Sequence, residues 1–84
     1  MESGQVVFSK AGKDKAKPFV VVSSGGGHVF LADGRLRPLG RPKKKKEKHV
    51  QPTKTVIPDI KHKLDNNLHL NDADIRKALA AHTT

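Results

Sequence analysis

Residues 4–22 read Gly4-Gln-Val-Val-Phe-Ser-Lys-Ala-Gly-Lys-Asp-Lys-Ala-Lys-Pro-Phe-Val-Val-Val22. Two β-branched and aromatic runs, 6–8 and 19–22, flank a loop that carries Lys10, Lys13, Lys15 and Lys17 around a single glycine, Gly12. Such side chains fit a pleated, half-buried surface, so the stretch predicts two strands joined by a lysine-bearing loop. In the first run Val6 and Phe8 alternate with Gln5, Val7 and Ser9, which predicts one better-buried face. The second run is continuous and predicts a more central strand. Lysines displayed on the tip of a stiff hairpin suit phosphate groups, whose contacts position a protein on a nucleic-acid backbone.

Downstream, residues 23–27 (Ser-Ser-Gly-Gly-Gly) form a turn or loop, since glycine supplies positive φ without steric cost. No P-loop lysine and no crossover helix follow them, so a nucleotide-cofactor reading has no support, and no cofactor is expected. Residues 28–32 predict a third strand. Asp33-Gly34 is a type I′ hairpin signal, and 35–39 is expected to return as a fourth strand, with Pro38 at its edge or exit. The tract 40–47 (Gly-Arg-Pro-Lys-Lys-Lys-Lys-Glu) predicts a mobile charged loop. Residues 48–51 predict a short fifth strand ended by Pro52. Five short strands with tight turns point to a small barrel, because closure protects edges that would otherwise aggregate.

Residues 53–58 read as a connector. Ile60, Leu64 and Leu68 fall roughly four apart, compatible with a short helix over 60–66. Asn71 opens a clearer helix, expected over 71–81. It is a good N-cap with Asp74 three residues on, a capping box with Asp in the Glu place. Leu70 and Ile75 stand at the positions of a hydrophobic staple, and Asp72 and Asp74 suit the positive end of the helix dipole. Ile75, Ala78, Leu79 and His82 share one face, a narrow docking stripe.

The chain has 84 residues, 35% of them hydrophobic, with three Phe and no Trp or Tyr. A domain of this size buries only about 60% of its unfolded surface, so the core must be slight. The net charge is +9, and residues 1–54 carry all of it; residues 55–84 are balanced. A concentrated positive field attracts polyanions. Cysteine is absent, which removes disulfides and thiol chemistry. No apolar stretch approaches the ~18–20 residues of a membrane span, and the N-terminus lacks signal-peptide regions. An intracellular, cytoplasmic protein is expected.

The basic set is Lys10, Lys13, Lys15, Lys17, Arg35, Arg37, Arg41, Lys43, Lys44, Lys45, Lys46, Lys48 and Lys54. Two basic loops flank the same predicted sheet, and Arg35 and Arg37 would share a face of the fourth strand. This favours phosphate-backbone binding over a merely solvated surface. An acidic membrane face is the weaker target, because the helix at 71–81 is charge-balanced and lacks large aromatics. Phe8, Phe19 and Phe30 all fall in predicted strands and are expected in the core, which argues against base stacking and for recognition of RNA shape and backbone. The five histidines have no metal-ligand spacing. No catalytic constellation of Ser-His-Asp or paired carboxylates is present, and the chain is not read as an enzyme.

The strand, lysine loop and strand of residues 4–22 resemble a KOW motif. The string 32–39 (Ala-Asp-Gly-Arg-Leu-Arg-Pro-Leu), the lysine tract, 48–53 (Lys-His-Val-Gln-Pro-Thr) and 74–79 (Asp-Ile-Arg-Lys-Ala-Leu) extend the likeness to the small bacterial KOW-domain RNA-binding proteins, related to the large-subunit ribosomal KOW protein numbered fourteen in archaea and eukaryotes. Gly12 and the 13–15 triplet match the motif. Its signature glycine falls at position 16, where this chain has Ala16. If the loop there needs positive φ, alanine costs about 1 kcal/mol; otherwise the loop takes another conformation.

The resemblance implies a mainly β chain: a five-stranded SH3-like (KOW) barrel over residues 1–54 and a connector plus C-terminal helical appendage over 55–84. It further implies large-subunit ribosomal RNA as ligand, neighbouring ribosomal proteins as partners and a ribosome-associated location. No small-molecule substrate is expected. The rival readings are a KOW module that docks on protein partners in a transcription or translation complex, and a general nucleic-acid binder.

Overall fold

The computed structural model describes residues 1–83, apart from the side chain of Asp14; Thr84, the end of the predicted appendage, lies outside them. Strands β1 (Gln5–Ser9), β2 (Pro18–Gly25), β3 (His28–Ala32), β4 (Lys43–Lys46) and β5 (Val50–Val56) form one open antiparallel sheet in the order β4-β3-β2-β1-β5. Helices α1 (Pro58–Asp65) and α2 (Asp72–Thr83) follow. The chain is therefore mainly β with five strands, as expected.

The better-buried single face expected for β1 is not what the sheet builds. Val6 and Val7, which point to opposite sides of the strand, are both buried. Val7 joins Phe19, Val21, Val29, Leu31 and Val50 in one cluster. Val6 joins Val20, Ile57, Ile60, Ile75 and Leu79 in the other. Both faces of the sheet's middle are covered because the two helices roof the second face. The segment after residue 54 thus supplies four of that cluster's six buried residues, each contributing about 2 kcal/mol of transfer free energy.

Strand boundaries depart from the pattern in several places, and β2 itself runs on through residues 23–25, where the sequence predicts a turn or loop. The type I′ turn lies at Gly26–Gly27, both with positive φ, between the paired residues Gly25 and His28. Asp33-Gly34 is not that turn. Only Gly34 has positive φ, and Asp33 Oδ1 accepts hydrogen bonds from the amides of Arg35 (2.8 Å) and Arg37 (2.9 Å). A side chain that caps its own following amides replaces the ladder, so residues 35–39 form a bend and not a fourth strand. The fourth strand is the lysine tract itself, paired His28↔Lys46 through Leu31↔Lys43; it is ordered, not a mobile loop. β5 is longer than expected, running through Pro52 to Val56 and absorbing most of the connector. Pro52 is tolerated because β5 is an edge strand. Extra residues on β5 opposite Val6 make a bulge, and Thr53 Oγ1 donates to the Val6 carbonyl there (2.7 Å).

Each helix is capped as its local sequence dictates. α1 begins with Pro58 in its first turn and ends with Asn67 at φ +53°. The Leu68 amide donates to the Lys63 carbonyl (2.9 Å) and that of Asn67 to Leu64 (3.4 Å), a Schellman ending. At α2, Asn71 Oδ1 accepts from the Asp74 amide (2.9 Å) and Asp74 Oδ2 from the Asn71 amide (3.1 Å), the predicted reciprocal box. Ile75 and Leu79 are buried and Ala78 is half-buried, but His82 is exposed and drops out of the docking stripe.

Two glycines set how closely the helices sit. A Cβ on Gly4 would lie 2.8 Å from the Lys61 amide nitrogen of α1, and one on Gly34 would overlap the Asp72 carbonyl oxygen at the start of α2. Asp72 Oδ1 also accepts from the Leu39 amide (2.8 Å), and Arg76 donates to the Gly34 carbonyl (2.7 Å). α2 therefore docks on the 33–39 bend. Lys61 bridges Asp65 (3.1 Å) and Glu2 (3.6 Å), and its hydrogen bond with Asp65 raises its pKa above the ordinary lysine value.

Ala16 has φ +68°. The Ala16 amide donates to the Ser9 carbonyl (2.7 Å) while the Ser9 amide donates to the Lys17 carbonyl (3.1 Å). Two residues thus oppose one, the bulge whose first position is normally glycine. The loop keeps the left-handed backbone and carries the strain of a Cβ. Ala16→Gly is expected to raise unfolding free energy by about 1 kcal/mol, read as a higher midpoint in urea or heat; an unchanged or lower midpoint would contradict the strained geometry.

Candidate nucleic-acid interface

The lysine tract alternates as a strand must. Lys43 and Lys45 are half-buried, whereas Lys44 and Lys46 are exposed on the opposite face. Four consecutive lysines therefore cannot grip one groove. Instead, Lys43 and Lys45 meet Lys13 from the β1–β2 loop, Arg37 from the bend and His49 from the 3₁₀ turn Glu47–His49. Together with the Ala11-Gly12 backbone they line an open cleft of about 270 Å³. Residues spread over 39 positions of sequence, from Ala11 to His49, contribute to it.

The walls of this cleft are tied to one another. The Lys10 amide donates to the His49 carbonyl (2.8 Å). The Lys45 ammonium donates to the Ala11 carbonyl (2.9 Å) and to Ser9 Oγ, which is itself buried. An ammonium has three donors, so Lys45 holds the β1–β2 loop against β4 with two and retains one. Its apolar stem is half-buried while the ammonium head keeps polar partners. A low-dielectric wall behind clustered cations focuses their field outward, a geometry chemically suited to anionic oxygens.

The other predicted contacts are distributed differently. Arg35 and Arg37 do not share a strand face: Asp33 turns the chain between them, and Arg35 lines a second groove with Lys17. Lys10, Lys15, Arg41, Lys44, Lys46 and Lys48 are exposed outside the cleft lining. Lys54 is likewise exposed, on β5. Of the aromatics, Phe19 is buried, but Phe8 and Phe30 are only half-buried and so are not fully core. Leu36, at the crest of the bend between the two arginines, is 75% exposed.

His49 and Arg76 were not among the candidate contacts. For His49 the only signal is its place next to the tract; for Arg76 it is the four-residue spacing from Asp72, which puts both on the side of α2 facing the bend. Among the described residues no three His, Cys, Asp or Glu side chains come together as a metal site, and no helix is long and apolar enough to cross a membrane. Comparison with models of known protein families and with curated proteins gives no match.

The two classes of lysine separate in a mutational test. Lys45→Met removes the donor to Ser9 and Ala11 and should lower unfolding free energy by about 1–3 kcal/mol. Lys44→Met, on the exposed face, should leave it within about 0.5 kcal/mol. Equal melting temperatures for the two variants would show that Lys45 ties nothing.

Proposed function

We propose that this chain is a non-catalytic RNA-binding protein that grips phosphate backbone in the cleft formed by Lys13, Arg37, Lys43, Lys45 and His49. The convergence of lysine and arginine side chains from three separate segments on one concavity, with His49 from a fourth, carries the reading. A merely solubilising charge has no reason to converge, and a fold that holds like charges together has its electrostatic cost relieved by a polyanion. Exposed Lys10, Lys15, Lys44, Lys46 and Lys48 extend the field, so that more than one phosphate is neutralised.

Within this reading the five strands correspond to those of an SH3-like barrel of the KOW kind. Three features support it: the strand order β4-β3-β2-β1-β5, Gly12 with positive φ in the lysine loop, and Ala16 in the left-handed conformation at the motif's glycine position. The ligand that the resemblance favours is ribosomal RNA on the large subunit, with neighbouring ribosomal proteins as secondary partners and a ribosome-associated location. Recognition would follow backbone and shape more than sequence.

Counterion release supplies the test. Titration of a structured ribosomal RNA fragment by fluorescence anisotropy, repeated across salt concentrations, should give log affinity falling with log salt at a slope of roughly −4 to −5, as for about six neutralised phosphates. A flat response would contradict the phosphate grip and favour the protein-docking alternative, for which exposed Leu36 is the available apolar contact.

A further inference from the structure

A second groove, of about 290 Å³, runs between the 33–37 bend and α2. Its chemistry differs from that of the phosphate cleft. Lys17, Arg35 and Arg76 provide cationic lips, whereas Pro18, Leu79 and Ala80 provide an apolar floor. Asp33 also lines it, but one of its carboxylate oxygens is held by the Arg35 and Arg37 amides. Arg76 is fixed by its bond to the Gly34 carbonyl (2.7 Å), which pins its guanidinium at the groove. The volume stands at the small end of ligand pockets, ~300–1,000 Å³, enough for one monomer unit and too little for a helix.

The groove and the cleft share no lining residue, but the same two segments contribute to both. Lys13 and Lys17 belong to one loop, and the Arg35 and Arg37 amides, bound to one oxygen, lie no more than about 6 Å apart. An anion joined to a flat apolar body matches charged lips over an apolar floor, and an unstacked nucleotide is that object. Arginine planes stack on bases, and a base presents the same π-face whatever its identity.

Resting on the RNA reading, we propose that this groove receives a single unpaired nucleotide of the bound RNA. Its phosphate would lie on Lys17 and Arg35, and its base between the Arg76 guanidinium and the floor of Pro18, Leu79 and Ala80. The protein would then select structured RNA interrupted by a bulge over continuous duplex.

The test uses two hairpin RNAs that differ only by one unpaired nucleotide, with the full chain and two charge-matched variants. Ala80→Glu places a carboxylate on the groove floor. Ala81→Glu places it on the same helix, also exposed, outside the groove lining. The wild type should bind the bulged RNA about tenfold tighter than the duplex. Ala80→Glu should abolish that preference, and Ala81→Glu should preserve it. Equal affinities for the two RNAs in the wild type, or identical behaviour of the two variants, would overturn the single-nucleotide site while leaving the phosphate grip standing. Failure to bind either RNA at low salt would overturn the RNA reading, and this proposal with it.

Discussion

Burial of β1 on both faces is the constraint from which the rest of the molecule follows. Val6 and Val7 are adjacent in sequence, point in opposite directions and are both almost completely removed from water. An 84-residue chain with so few large apolar side chains can cover both sides only by returning its C-terminal helices to the sheet. Ile60, Ile75 and Leu79 are that cover. Gly4 and Gly34 let the helix backbones come close enough, and the Asn71–Asp74 box fixes where α2 begins. The part of the chain without net charge therefore stiffens the part that holds all of it.

Rigidity matters because clustered cations repel one another. At an effective dielectric of about 20, like charges ~6 Å apart cost roughly 3 kcal/mol. Loose lysines would simply spread into solvent. Here β4 pairing, the Lys10–His49 backbone bond and the Lys45 bridge to Ser9 and Ala11 hold the cleft open before any ligand arrives. Under the proposed reading, an anion would meet preorganised donors and lose little ordering entropy on binding.

What could be read in the sequence was what is encoded locally. The α2 cap is a four-residue signal, and it stands in the structure as read. The first three strands follow from β-branched runs bounded by turn residues. β4 was illegible because four lysines carry no apolar alternation; its strand is imposed by β3 alongside it, with lysine stems serving as the half-buried side. Asp33-Gly34 misled because the same dipeptide serves a hairpin turn or an aspartate that caps its own amides, and the docking of α2 on Gly34 decides between them. The candidate site was visible as charge but not as geometry. Alternation sends Lys44 and Lys46 away from Lys43 and Lys45, and the bend sends Arg35 and Arg37 to different concavities. His49 enters through a tertiary neighbour that no spacing records.

The most direct test is residue-resolved NMR of the labelled chain as a short structured RNA is added at low salt. The account predicts that the largest shift changes fall on Lys13, Arg37, Lys43, Lys45 and His49, with the exposed face of α1 unmoved. Perturbations confined to α1 or to the Lys54 stretch of β5, with the cleft silent, would contradict it.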